Sequence, residues 1–301
     1  MTSFQRYLAE EVAVDHADGL IPRREALRRL GLLGLALPTA SALLAACTTG
    51  QESAATSVST SSASAAASPA GPPPLATEAI TFPGPEGGVT LQGAWAAAPD
   101  PRGAVLVIHE NRGLNDHIRS VAGRLAADGY SALAPDLLSR EGGTASLGDP
   151  AKATAALSGI SEDRFTADMK AALDELGRRA PGKKLGAVGF CFGGGMVWLL
   201  LSSNEPRLSA AAPFYGPLPE NADFSGSKAA VLGIYAEQDS RVNAGRDQAK
   251  AALEKAGLKH ELVTFSGVNH AFFNDTGQRY NADAAAEAYQ RVIGWFGRYL
   301  A

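Results

Sequence analysis

The chain has 301 residues, 46% of them apolar, with 27 basic and 31 acidic side chains and a formal charge of −4. That length allows one sizeable core, and a mildly acidic chain without a basic cluster argues against nucleic acid as a partner. Two cysteines rule out a disulfide framework.

Residues 1–46 have the layout of an export leader. Pro22-Arg23-Arg24-Glu25-Ala26-Leu27-Arg28 looks like a twin-arginine motif, and the apolar stretch 30–46 that follows contains Pro38 and is short for a membrane span. It ends in Leu44-Ala45-Ala46-Cys47, which resembles a bacterial lipobox and would make Cys47 the lipidated residue. An uncleaved anchor helix is the alternative. Either way the expectation is a chain exported and held on the membrane of a bacterial envelope, facing the periplasm or exterior, with Cys191 as the one free thiol. The leader holds five arginines and five acids, so the net charge belongs to the remainder.

Residues 47–75 are rich in Ser, Ala, Thr and Pro and nearly free of large apolar side chains, the composition of a disordered tether. A catalytic domain is expected over 76–301. Residues 89–97 alternate like an edge hairpin, and 103–108 is a continuous apolar run suited to a central strand. A helix over 118–128, a strand over 130–134 and a helix over 165–180, closed by Pro181-Gly182, come next. A strand at 184–188 leads into an apolar helix at 194–203. Strands at 208–214 and 229–236, a helix at 243–256, a strand at 260–265 and an amphipathic helix at 282–300 complete the domain. Strands alternating with helices in this way imply an α/β fold, a mostly parallel twisted sheet with helices on both faces and its site at the carboxyl ends of the strands.

Gly189-Phe190-Cys191-Phe192-Gly193 lies between the 184–188 strand and the 194–203 helix and reads as a nucleophile elbow, G-x-[S/C]-x-G, with a thiol at its centre. The alternative is a buried structural cysteine. A thiol nucleophile needs a base, and histidine is the natural one near neutral pH. Among His16, His109, His117, His260 and His270, only His270 follows the last strand in the order nucleophile, acid, base. Asp239, in the loop after the penultimate strand, is the candidate acid, with Glu237 a neighbouring competitor and a helix-capping carboxylate the plainer role. The oxyanion would be held by the backbone N–H groups of Phe192 and Asn111. Glu110 and Arg112 flank Asn111, either as site residues or as a solvated loop pair. Metal-ligand spacing and a nucleotide-binding glycine loop are both missing from the sequence, so no metal or cofactor is expected.

Several of these segments together carry a resemblance. From about residue 78 onward the chain resembles the dienelactone hydrolase family, an α/β-hydrolase family with a cysteine nucleophile. The matching segments are Gly189-Phe190-Cys191-Phe192-Gly193-Gly194-Gly195, His109-Glu110-Asn111-Arg112-Gly113, Ala134-Pro135-Asp136-Leu137-Leu138, Phe214-Tyr215-Gly216, Asp239 and Asn269-His270-Ala271-Phe272. The resemblance implies a Cys191–His270–Asp239 triad acting on small ester or lactone substrates, and a contact between Glu110 and the resting thiol that helps deprotonate it. Arg112, Arg140 and Tyr215 are the candidate substrate contacts. The family grips a substrate carboxylate with a serine and an arginine just past the catalytic histidine, and here those positions are Ala271 and Asn274. Two of the family's three carboxylate contacts are thus missing, with Arg140 in the position of the third, an arginine after the Pro-Asp-Leu segment. Two other functions remain open at this level, acyl transfer or thioester cleavage in the envelope, and a catalytically silent tethered binding protein.

Overall fold

The computed structural model describes residues 2–49, 70–85 and 87–301, with the side chains of 47–49 excepted. The side chain of Cys47 and the tether residues 50–69 therefore lie outside the described residues. Three helices open the chain, α1 (Ser3–Ala17), α2 (Arg23–Leu32) and α3 (Leu37–Thr49). Strands β1 (Glu78–Pro83), β2 (Thr90–Ala96) and β3 (Gly103–Ile108) follow, then α4 (Asp116–Ala127) and β4 (Tyr130–Asp136). The middle of the chain supplies α5 (Thr144–Leu147), α6 (Pro150–Ser158), α7 (Glu162–Arg179), β5 (Leu185–Phe190) and α8 (Phe192–Ser202). It closes with β6 (Leu208–Phe214), β7 (Ala230–Ala236), α9 (Ser240–Asn243), α10 (Arg246–Lys255), β8 (His260–Phe265) and α11 (Ala282–Tyr299).

The strands form one eight-stranded sheet in the order β1-β2-β4-β3-β5-β6-β7-β8. β1 pairs antiparallel with β2 and β2 with β4, and every pairing from β4 to β8 is parallel. The parallel strands are covered on both faces and so carry continuous apolar runs: β3, β5 and β7 are buried at every position. α7 and α8 pack together beneath β3 and β5, while α4 and α11 cover sheet elements elsewhere and meet where Tyr289 donates to Asp128. α8 is apolar all round and buries Met196, Val197, Trp198, Leu200 and Leu201, each of which stabilises the fold by about 1.5–3 kcal/mol through area removed from water. It is the central support of the elbow.

Two segments differ from their sequence reading. Residues 70–75, the end of the expected tether, are tied to the domain at both ends: Ala70 is buried and its carbonyl accepts from the Arg124 guanidinium, and Leu75 N–H donates to Gly123 O. Composition alone does not reveal these backbone bonds. The leader, set aside as a processed segment, folds as α1–α3 against the catalytic face. α1 begins with a capping box, Thr2 accepting from the Gln5 N–H while the Gln5 side chain accepts from the Thr2 N–H. Phe4, Tyr7, Leu8, Glu11 and Asp15 share one helical stripe that is buried against the domain. Among the described residues no helix is long and apolar enough to cross a membrane.

Candidate active site

The register of the central strands brings three loops to one rim. Ile108 pairs with Gly189 and Phe190 with Phe214, so the loops after β3 and β6 flank the turn after β5. At that turn Cys191 adopts φ 58° and ψ −122°, a conformation that costs a non-glycine residue about 1–3 kcal/mol. Its N–H donates to Phe214 O at 3.1 Å and its carbonyl accepts from Gly195 N–H at 3.2 Å, which hold the strained geometry. The flanking glycines are sterically required. A Cβ on Gly189 would lie 2.1 Å from Gly193 O, and one on Gly193 would lie 2.3 Å from Ile108 O and 2.5 Å from His109 O. Phe192 is the first residue of α8, so its N–H has no acceptor within the helix and lies just past the sulfur.

β7 and β8 carry the other two groups. The loops following them are laced together, Glu237 N–H donating to Phe265 O and Gln238 N–H to Val268 O. His270 Nδ1 lies 2.6 Å from Asp239 Oδ2, both groups buried. The other oxygen of Asp239 accepts from Val242 N–H at 3.3 Å and caps α9, so one carboxylate both caps the helix and holds the imidazole. Glu237 instead accepts from Gly267 N–H, and His260 sits at the start of β8 with its Nδ1 on Leu258 O. Neither approaches Cys191.

The loop after β3 is fixed by His109. Its Nε2 accepts from Leu137 N–H at 3.1 Å, which leaves the proton on Nδ1 to donate to Glu110 O at 2.7 Å. Burial keeps its pKa below the ordinary histidine value, so the ring is a neutral brace. Glu110, Asn111, Arg112, Cys191, Asn274 and Arg279 line a cavity beside the sulfur, and Glu11, Val12 and Asp15 of α1 form another part of its wall. The Glu110 carboxylate is buried and accepts from Asn274 Nδ2 at 2.6 Å; the thiol contact implied by the resemblance is taken by another residue, described below. Arg112 is exposed at the rim. Arg140 lies away from the cavity, drawn to buried Asp168 of α7 at 2.6 Å because that acid needs a cation there. Tyr215 is buried with its ring edge-on to His270, centroids 4.9 Å apart, and forms a wall behind the imidazole rather than a lining of the cavity.

The residues that sequence reasoning missed come from α1 and its partners. The Tyr7 phenol oxygen lies 3.3 Å from Cys191 Sγ and 3.5 Å from His270 Nε2. Glu11 Oε1 lies 3.5 Å from the same Nε2, and its other oxygen pairs with Arg241, whose guanidinium also donates to Tyr7 O and stacks 4.4 Å over the Tyr7 ring. Burial opposes charge on His270, but Glu11, Asp239 and Cys191 outweigh it and hold its pKa well above the usual value. Burial would likewise raise Glu11, yet His270, Arg241 and Arg279 bring it down to about 2. Burial and the neighbouring Cys191 and Glu11 push the Tyr7 phenol well up, so it keeps its proton. The signal that could have found these residues is the helical spacing of 4, 7, 8, 11 and 15, together with an acid load unusual for a leader.

Glu11, Cys191 and His270 offer ligand atoms within 4.8 Å of one another, a donor set of the kind that holds a soft divalent cation. The Arg241 guanidinium already neutralises Glu11 and opposes a second positive charge there.

A model described as the dienelactone hydrolase family matches residues 91–300. The chain belongs to the dienelactone hydrolase family. A Saccharolobus solfataricus protein that carries the name of a carboxymethylenebutenolidase is 30% identical over 246 residues, 70% of this chain and 95% of that protein. An Escherichia coli (strain K12) protein with the same name is 31% identical over 212 residues, 66% of this chain and 78% of its own length. A crystal structure from Klebsiella pneumoniae under the dienelactone hydrolase name superposes with a TM-score of 0.64 at 28% identity, covering 75% of this chain and 100% of that one. Pyrococcus horikoshii acylaminoacyl peptidase shares the fold alone, with a TM-score of 0.56 at 14% identity over 75% of this chain and 42% of that one. Membership in the dienelactone hydrolase family makes this chain a hydrolase of the dienelactone and ester type on an α/β-hydrolase fold. The matched span begins in β2, so α1 lies before it.

Proposed function

We propose that the protein cleaves small carboxylic esters or lactones through a thioester on Cys191. His270 takes the thiol proton, and the thiolate attacks the substrate carbonyl carbon. The oxyanion that forms accepts hydrogen bonds from the N–H groups of Phe192 and Asn111. Collapse breaks the bond to the alkoxide, which leaves with the proton from His270, and a thioester remains. His270 then takes a proton from water, the hydroxide attacks the thioester, and the carboxylic acid departs as the thiol is restored. Asp239 fixes the tautomer of the ring and offsets its charge in both halves. Arg112, at the cavity rim, is the substrate contact best placed for a polar acyl or alcohol group.

The observation that carries this reading is the strained Cys191 turn on the same rim as an imidazole fixed by a 2.6 Å contact with Asp239. The test is turnover of a panel of aryl esters and lactones by the protein and by Cys191→Ala, with intact-mass analysis after brief exposure. An acyl adduct on Cys191 and loss of turnover in Cys191→Ala support the reading; equal turnover in the variant ends it. Including a competing alcohol separates hydrolysis from acyl transfer, since pure hydrolysis yields only the acid.

We also propose export and lipid anchoring through Cys47, supported by Arg23-Arg24 and by Leu44-Ala45-Ala46-Cys47. Fractionation of cells expressing the chain and Cys47→Ala checks this. The unsubstituted chain should sediment with membranes and the variant should not.

A further inference from the structure

We propose that α1 is a built-in plug of the catalytic face: Tyr7 occupies the gap between Cys191 and His270, α1 walls the cavity that remains beside the sulfur, and the enzyme works only when α1 is lifted away. The inference rests on the thioester hydrolase reading above. Its ground is positional. The Tyr7 hydroxyl touches both the nucleophilic sulfur and the base nitrogen, 3.3 Å and 3.5 Å away, and so occupies the gap between them. A carbonyl carbon under attack has to sit within contact distance of that same sulfur. Glu11 faces the same nitrogen that must receive the thiol proton. A ring held charged by two carboxylates has no lone pair to offer, so α1 blocks the site by occupancy and by charge together.

The way α1 is attached suits a removable part. Only Phe4, Tyr7 and Leu8 of α1 join the main core, Phe4 meeting Phe192 edge-on at the elbow itself. The other apolar side of α1, Ala9, Val12 and Ala13, packs with Ile21, Ala26, Leu30, Ala40 and Leu44 in a separate small cluster. The three helices therefore hold one another through their own apolar contacts. Leu33, just past α2, also packs against the main core, and the polar ties include Arg241 to Glu11 and Tyr7 O, Arg279 to Asp15 and Asp18, Gln5 to Ser158 O, and Arg28 to Asp149. Arg28–Asp149 is exposed and screened by salt, whereas Arg241–Glu11 and Arg279–Asp15 are largely buried, so removing one partner of either should loosen α1 far more than salt does. All of α1 precedes Cys47, so processing at that residue, if the export proposal holds, would also remove the plug. The thiol would then stay capped until the chain reached its destination.

The test reads thiol access without relying on ester turnover. Second-order alkylation of Cys191 by iodoacetamide is followed by mass spectrometry on the full-length chain, from 0.05 to about 1 M NaCl, and beside it the full-length variants Tyr7→Ala, Phe4→Ala and Arg279→Ala with far-UV circular dichroism as the check on folding. The expected result is a thiol at least about a hundredfold slower than free cysteine in the unsubstituted chain, only modestly accelerated by salt, and at least about tenfold faster in each folded variant. Ester turnover should rise in Phe4→Ala and Arg279→Ala. A thiol in the unsubstituted chain that reacts as fast as free cysteine overturns the plug, whatever the variants do. So does turnover that falls in Tyr7→Ala and in Phe4→Ala while alkylation is unchanged, because α1 would then be part of the working site. Faster alkylation in the variants with no ester turnover in any form upholds the plug and removes the hydrolase reading.

Discussion

The hydroxyl of Tyr7 stands 3.3 Å from the sulfur of Cys191, across 184 positions of the chain. The partner of the resting thiol thus comes from the first helix, and not from Glu110, whose carboxylate is held by Asn274. Both arrangements keep a thiol away from oxidants, but they differ in what must move. A carboxylate on a loop can turn aside when an ester arrives, whereas a tyrosine on a helix leaves only with its helix.

Asp239→Asn should leave the fold intact, because an amide oxygen can still accept from Val242 N–H and cap α9. The same change presents His270 Nδ1 with a neutral partner and frees the wrong tautomer. Turnover should fall by about 10²- to 10⁴-fold with KM little altered, measured by steady-state kinetics on the best ester of the panel. A loss below threefold would remove Asp239 from the triad.

Gly193→Ala should be among the most damaging single-atom-group changes in the domain. The added methyl would meet two backbone carbonyls, Ile108 O and His109 O, and neither can retreat without displacing β3 or the Glu110 loop. Overpacking of this kind costs about 1–3 kcal/mol or more, and the variant should show a lowered urea midpoint together with lost activity. A full-activity variant would mean that the elbow has room the structure does not give it.

The central sheet was legible because β3, β5 and β7 are buried on both faces and therefore apolar throughout, a pattern a sequence carries openly. The elbow was legible for a steric reason: two glycines at fixed spacing around Cys191 answer to backbone contacts that no other residue satisfies. β1 escaped notice because it is an edge strand with only Ile80 and Phe82 facing inward. The role of α1 was hidden for a different reason, since segments resembling a twin-arginine motif and a lipobox set its residues aside as an expected leader, and nothing local in Tyr7 or Glu11 points to a sulfur so far along the chain. Arg140 was assigned to substrate by analogy of position, and the deciding fact, the buried Asp168 one helix away, is tertiary.

Asp275 sits in the loop just past His270 and accepts from His117 Nδ1 at 2.7 Å and pairs with Arg124 at 3.2 Å, both partners buried. Asp275→Ala would leave the Arg124 charge in the interior without a carboxylate, held by the Ala70 and Ser120 carbonyls and the nearby ring of Phe273. Breaking a buried pair from one side costs about 3–5 kcal/mol, so chemical denaturation should register a loss of that order. Activity per folded molecule should also fall, as the loop that carries His270 loses its anchor. An unchanged midpoint would show that Arg124 reaches water.

Glu11→Gln tests the charge at the α1 contact through pH. The Glu11 carboxyl, ordinarily near 4.5, is brought down to about 2 when α1 is docked, so docking gains from its negative charge. That gain is fully present above about 4.5 and disappears as pH falls through about 2. His270 acts in the opposite sense through the part of its raised pKa that Glu11 supplies, which favours docking at low pH; the part from Asp239 and Cys191 belongs to the domain alone. Amide hydrogen exchange across residues 3–17 reads the docking directly, and taking the ratio of Glu11→Gln to the unsubstituted chain cancels the intrinsic pH dependence of exchange. The ratio should be well above one at pH 6, where the variant has lost its negative charge against His270 and Arg241, and should close toward one between pH 4.5 and 2 as the native carboxyl takes up its proton. A ratio that stays constant over that window would show that Glu11 holds α1 by shape and not by charge.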